Sequence, residues 1–160
     1  MDNRILVTIG LIGGVLATAG VFGSWTSMSG TIMGEKFSVS ASAWDSITEA
    51  EKTITIADTP FSASIGRETY SFLPLTGGIL ALIGALGILA SPRMRILIAL
   101  LAIGGILAIV GAGWGYFDIS SEVGVLFPSV EIGIDYGLYM CLIGGILALI
   151  SSSIVSVRGE

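Results

Sequence analysis

Four carboxylates within one stretch that contains no basic residue are the first candidates for chemistry: Asp118, Glu122, Glu131 and Asp135. Hard cations prefer oxygen ligands, so an acidic outer ring of these residues could bind a cation. Their spacing matches no EF-hand loop, however, and charged surfaces ordinarily serve solubility. We therefore expect solvated surface charge here, and we predict no metal site and no cofactor.

Aromatic residues form the second set of candidates, because tryptophan is favoured at interaction hot spots. Trp25, Trp44 and Trp114 are candidates for interaction or for anchoring in the membrane, and Arg67 joins them as a charged candidate. We expect Trp25 to be an anchor at the membrane boundary, since aromatic rings settle there. We expect Trp44 to be a plug between the extramembrane layer and the helices.

Catalytic residue types are scarce in this chain. It has no histidine and a single cysteine, Cys141, so a histidine-based metal site, a Ser-His-Asp triad and an internal disulfide are all excluded. No local motif places a nucleophile beside a base. We predict that the protein is not an enzyme and has no nucleic-acid partner, and that Cys141 is a small buried apolar residue.

Four long apolar stretches are the elements that must position the candidate residues of the loops. Of the 160 residues, 53% are hydrophobic and only 12% are charged, with a mean hydropathy of +0.93. Such values are typical of a multi-pass membrane protein. We predict a single domain with spans at 5–23, 75–90, 96–114 and 136–157. These are joined by an outer loop at 24–73, an inner turn at 91–95 and a second outer loop at 115–135.

A glycine pair recurs in every predicted span. Each pair begins a run of the form Gly-Gly-Ile/Val-Leu-Ala, and small residues recur four positions apart around it. This spacing puts small residues on one helix face, where they let helices approach closely in lipid. We predict helix packing at Gly13, Gly14, Gly77, Gly78, Gly104, Gly105, Gly144 and Gly145.

The basic residues indicate an orientation. Arg4, Arg93, Arg95 and Arg158 flank the ends of the spans on one side, whereas the two outer loops carry a large surplus of acids. The positive-inside rule then places both termini and the turn at 91–95 in the cytoplasm, and both large loops outside. We expect a multi-pass protein of the cell membrane, in contact with membrane lipid.

Alternating residues in both outer loops predict a sheet. Residues 36–44, 53–57 and 61–65 alternate with period two, and so do residues 130–134. A further strand at 26–33 has only a weak pattern. We predict a fold class of membrane α-helical type: a four-transmembrane-helix bundle with a small extracellular antiparallel sheet of four or five strands, built from both outer loops.

The spans also suggest an internal repeat. Residues 77–83 recur identically at 144–150, and the glycine pairs of the first and third spans each precede a tryptophan. The first span therefore resembles the third, and the second resembles the fourth, as in a parallel duplication. The bias toward Gly, Ile, Leu and Ala also makes chance matches easy.

Topology and tryptophan spacing together resemble the claudin-like tetraspan family. Claudins carry a Trp early in the first loop and a Gly-Leu-Trp about twenty residues later, to which Trp25 and the run ending in Trp44 are similar; Arg67 stands where claudins have an Arg. The chain departs from the pattern at the two claudin cysteines, which would fall near Ile47 and Ala57. The resemblance therefore implies the fold and an assembly role, without the disulfide of the family.

Three functions remain open. The resemblance implies a non-enzymatic tetraspan that mediates lateral self-assembly, or partner and cell-surface interactions, through its extracellular sheet, as a homo-oligomer or with a membrane-protein partner. One alternative is an accessory subunit of a larger membrane complex. The other is an oligomeric pore with an acidic outer ring. The spans carry no ionisable residue except Tyr and Cys, which argues against an ion-coupled transporter.

Overall fold

Four long helices dominate the structure, a computed structural model that describes residues 3–32, 34–49, 51–56, 59–64, 69–91, 95–122 and 130–158. Each of the four is long and apolar enough to cross a membrane, which confirms the predicted number of spans. With a short helix between the first two, the helices are α1 (Asn3–Phe22), α2 (Ala43–Ile47), α3 (Phe72–Ala90), α4 (Arg95–Glu122) and α5 (Tyr136–Arg158).

The long helices form a square bundle, called the bundle below. Helices α1 and α3, α3 and α4, α4 and α5, and α5 and α1 are neighbours, whereas helices on the diagonals hardly touch. All four neighbouring pairs are antiparallel, as helices joined up and down must be. The third residue of each glycine run points outward, and Val15, Ile79, Ile106 and Ile146 are about half exposed. An apolar outer surface of this kind is what lipid contact requires.

Helix α4 is longer than the predicted third span. It continues past Trp114 to Glu122, into the stretch that we expected to be loop. The hydropathy of the sequence falls at the charged residue Asp118. The helix continues past it because backbone hydrogen bonds do not need apolar side chains. At 28 residues the helix is about 42 Å long, so its last turns project beyond a hydrocarbon core of roughly 30 Å.

The described strands form two antiparallel sheets instead of the single sheet that we expected. One has three strands in the order β2 (Glu35–Ser42), β1 (Ser24–Ile32), β5 (Val130–Ile134), and so joins both loops; the other pairs β3 (Glu51–Ile56) with β4 (Thr59–Ser64). The weakly patterned stretch at 26–33 lies within β1 up to Ile32 and is the central strand. β1 pairs with a strand on each edge, so its backbone N–H and C=O groups are hydrogen-bonded, and this stabilises the strand in spite of its weak sequence pattern.

Two local signals define the ends of β2. The turn before it contains Gly34, whose φ of +87° suits glycine. After it, the Ser42 side chain accepts a hydrogen bond from the Asp45 backbone N–H at 3.1 Å, and the Asp45 carboxylate accepts one from the Ser42 N–H at 2.7 Å. This capping box ends the strand at Ser42 and starts α2.

The three-stranded sheet is amphipathic. Residues that lie directly opposite each other in a sheet share a face, so the observed register assigns each face its residues. One face is apolar, and its Ile132 and Ile134 pack against Trp25, Ile119 and the upper core of the bundle. The other, called the polar face below, consists of Ser27, Ser29, Thr31, Lys36, Ser38, Ser40, Glu131 and Gly133.

The sheet and the described arginines lie at opposite ends of the bundle. Helix α1 leads from Arg4 up to β1, and α5 begins directly after β5. Arg95 is the first residue of α4, beside the end of α3, and it is exposed, as Arg4 is. Arg93 lies outside the described residues.

Candidate functional site

The first glycine of each pair packs against the backbone of one neighbouring helix. A methyl group built on Gly13 would lie 2.6 Å from the carbonyl oxygen of Gly144, and one on Gly77 would lie 2.5 Å from that of Gly104. In the reverse direction, methyl groups on Gly144 and Gly104 would lie 2.5 Å from the carbonyl oxygens of Gly13 and Gly77. Helix α1 therefore meets α5, and α3 meets α4, at contacts that admit only hydrogen in place of a side chain.

The second glycine of each pair faces the other neighbour. A methyl group on Gly14 would lie 3.0 Å from the backbone nitrogen of Leu82 on α3. One on Gly145 would lie 2.8 Å from the carbonyl oxygen of Gly105 on α4. The predicted packing glycines thus lie at four contacts, one between each pair of neighbouring helices.

Helix geometry explains why the glycines come in pairs. Successive residues differ by about 100° around a helix, which is close to the roughly right angle between two neighbours in a square bundle. Adjacent glycines therefore serve two interfaces at one level. The contacts of α1 and α3 recur in α4 and α5, which matches the repeat seen in the sequence.

Alanines fill the bundle axis at the level of the glycine pairs. The fifth residue of each run lies, in helical angle, between the directions of its two glycines, and so points to the axis. These four residues, Ala17, Ala81, Ala108 and Ala148, are at most 1% exposed. The axis of a single copy is therefore closed at this level.

Buried polar groups in the bundle bond to backbone carbonyls. The Ser151 hydroxyl on α5 donates to the Leu6 carbonyl on α1 at 2.6 Å, and the Cys141 thiol donates to the Ala17 carbonyl at 3.3 Å. Cys141 is fully buried, as we expected of it.

We expect Ser151→Ala to lower the free energy of unfolding by about 0.5–1.5 kcal/mol, because it removes a hydrogen bond between two helices in lipid. Ser153→Ala is the matched control, since the exposed Ser153 hydroxyl donates to Leu149 within its own helix. Unfolding in mixed micelles of mild detergent and dodecyl sulfate measures both. Equal stability losses in the two variants would contradict the role of the Ser151 bond.

The two tryptophans of the first loop differ in burial, and the enclosed one is Trp25, whereas we expected Trp44 to be the plug. Trp25 is 3% exposed, and its indole N–H donates to the Gly20 carbonyl at 2.9 Å, so it plugs the upper end of the bundle. Trp44 is 40% exposed and packs against Phe22, with the two rings tilted by 39° and their centroids 5.0 Å apart. Trp44 thus extends the exposed surface of α1, while Trp25 is enclosed.

Of the other two interaction candidates, the structure describes only Trp114. Trp114 on α4 is 62% exposed, on the outside of the bundle. Arg67 lies outside the described residues.

The four acidic candidates are distributed over several elements. The Tyr70 hydroxyl, in the 3₁₀ turn just before α3, donates to the Asp118 carboxylate on the upper part of α4 at 3.0 Å. Glu131 is exposed on the polar face, Asp135 accepts from the Tyr136 backbone N–H at 3.0 Å, and Glu122 ends α4. Among the described residues, no three metal-ligating side chains converge.

The polar face contains residues that the sequence argument did not single out. A depression of about 590 Å³ is lined by three residues of β1 and three of β2, together with Glu131 of β5: Ser29, Gly30, Thr31, Lys36, Phe37, Ser38 and Glu131. The alternation of Ser27, Ser29 and Thr31 along β1 was the available signal.

Neither a protein-family model nor a curated protein matches this chain.

Proposed function

We propose that this chain is a non-enzymatic, claudin-like tetraspan that assembles laterally, with copies of itself or with a partner membrane protein. The working surface is the three-stranded sheet, which we place on the non-cytoplasmic side. Both termini and the turn between α3 and α4 are then cytoplasmic.

The amphipathic sheet is the observation that carries this proposal. Its apolar face is occupied, because Ile132 and Ile134 contact the bundle core. Its polar face exposes Lys36, Ser38 and Glu131. A folded, rigid layer with one open face is suited to docking a protein.

The free edge of β5 adds a second docking element. Asp135 donates its backbone N–H to the Trp25 carbonyl at 2.8 Å, so Asp135 bonds toward β1. Because bonding alternates along an antiparallel strand, the backbone groups of Ile132 and Ile134 point the other way. Among the described residues, no strand pairs with them, and such edges are natural templates for added strands.

The arrangement of elements fits the proposed tetraspan. A helix leads into two strands of a sheet, and a strand from the second loop completes that sheet, as the alternation in both outer loops predicts. Arg4 and Arg95 lie at the end of the bundle away from the sheet, and the positive-inside rule makes that end cytoplasmic.

Orientation is tested with single engineered cysteines, because the native Cys141 is buried. Ser38→Cys on β2 and Ser91→Cys after α3 are both exposed positions at opposite ends. We expect a membrane-impermeant maleimide to label Ser38→Cys in intact cells and Ser91→Cys only after permeabilisation. The reverse pattern would refute the non-cytoplasmic sheet.

Assembly is tested with the same two variants in native membranes. We expect a short bismaleimide to link Ser38→Cys to a second copy or to one partner protein in fixed stoichiometry, with Ser91→Cys as the control for random collision. A fixed adduct with a larger, different protein would assign the chain as an accessory subunit. Monomers alone in both variants, at native expression, would overturn the proposal.

A further inference from the structure

The polar face is nearly neutral, and its two charges lie on different outer strands. Lys36 is on β2 and Glu131 is on β5, with β1 between them. The remaining polar side chains on this face are short hydroxyls, for example Ser29 and Ser38, which lie in one row with Glu131. Short side chains leave room for another surface to approach closely.

We propose that this face binds the same face of a second copy, about a twofold axis that runs along β1. The inference rests on the proposed lateral assembly and names its partner and its contact. Two reciprocal ion pairs, Lys36 with the partner's Glu131 and Glu131 with the partner's Lys36, determine the register of the two sheets.

Sheet geometry leads to this pairing. A twofold axis along the middle strand exchanges left and right, so β2 of one copy lies opposite β5 of the other. Lys36 is level with Thr31 on β1, and Glu131 is level with Ser29. The two charges are therefore offset by two residues, about 7 Å along the strand. The long stem of a lysine side chain can bridge such an offset.

Charge complementarity favours a second copy over another occupant. Lys36 would repel a strongly basic partner, and Glu131 would repel a strongly acidic one. The face is, by contrast, complementary to itself under a twofold axis. The apolar face cannot serve instead, since Ile132 and Ile134 already contact the bundle core.

Charge reversal tests the contact in the full-length protein in mild detergent, with the dimer dissociation constant measured by sedimentation equilibrium. Lys36→Glu and Glu131→Lys should each weaken self-association about tenfold or more, because each places like charges opposite one another twice. The double reversal should restore the wild-type constant within about twofold. A mixture of the two single variants should also form heterodimers, since their faces are complementary.

Glu49→Lys is the control, because it makes the same change of charge on the exposed turn after α2, which is not part of the three-stranded sheet. It should leave the constant unchanged. Wild-type oligomers that are insensitive to both reversals, or single variants that do not associate with each other, overturn this inference while leaving lateral assembly intact. A strictly monomeric wild type, together with the absence of bismaleimide adducts of Ser38→Cys in membranes, overturns the inference and the proposed function together.

Discussion

Replacing Trp25 by alanine is expected to lower the free energy of unfolding by about 3–5 kcal/mol, the range for removing a buried aromatic side chain. Trp25 is 3% exposed and packs in a core cluster with Val21, Ala112 and Leu138. Its removal leaves a cavity where the sheet joins the bundle, and it leaves the Gly20 carbonyl without its indole donor. Unfolding in mixed detergent micelles measures the loss.

Two further variants separate the causes of this effect. Trp25→Phe keeps most of the volume and removes the hydrogen bond, so we expect a loss nearer to 1 kcal/mol. Trp114→Ala is the control, because Trp114 is 62% exposed, and it should change stability by no more than about 0.5 kcal/mol. If the two alanine variants were equally stable, Trp25 would not be the plug that the structure places there.

The second large effect is expected for Gly104→Ala on α4. The added methyl group would lie 2.5 Å from the backbone nitrogen of Ala81 and 2.5 Å from the carbonyl oxygen of Gly77. Neither atom can rotate away, so α3 and α4 must separate. We expect a loss of about 1–3 kcal/mol, the usual cost of overpacking, in spite of the better helix propensity of alanine.

Gly113→Ala on the same helix is the matched control for this substitution. A methyl group on Gly113 would meet no atom within 4 Å. Alanine is favoured over glycine in a helix by about 1 kcal/mol, so this variant should be as stable as wild type or more stable. Opposite signs for the two variants in the micelle assay are the expected result, and a stability gain at both positions would refute the close contact at Gly104.

The spans could be predicted because their signal is local. In lipid a backbone must satisfy its own hydrogen bonds, so a long apolar stretch is sufficient to indicate a helix. The glycine runs were equally informative, since spacing along a helix determines the face on which a residue lies. The end of α4 at Glu122 escaped prediction, because the hydropathy signal ends before the helix does.

The sheet was predicted less well, because strand pairing joins distant residues. β5 was recognised from the alternation of Val130, Ile132 and Ile134, but no local pattern showed that it pairs with β1. The hydroxyl alternation of β1 is present in the sequence but is a weak strand signal. β3 and β4 form a sheet of their own because β2 and β5 occupy the two edges of β1. No local pattern indicates which strands take those edges.

The sequence by itself determined the number of spans, the glycine pairs that pack them, and the presence of strands in both loops, since each depends on residues near one another in the chain. Only the tertiary structure decided that Trp25 is enclosed and Trp44 exposed. Trp25 follows the end of α1 and Trp44 lies at the start of α2, so their local positions are similar. Their burial differs because of distant partners, such as Gly115, whose missing side chain leaves room for the Trp25 ring. The pairing of β2 and β5 with β1 likewise sets Lys36 and Glu131 on one face, because register is a property of the folded sheet.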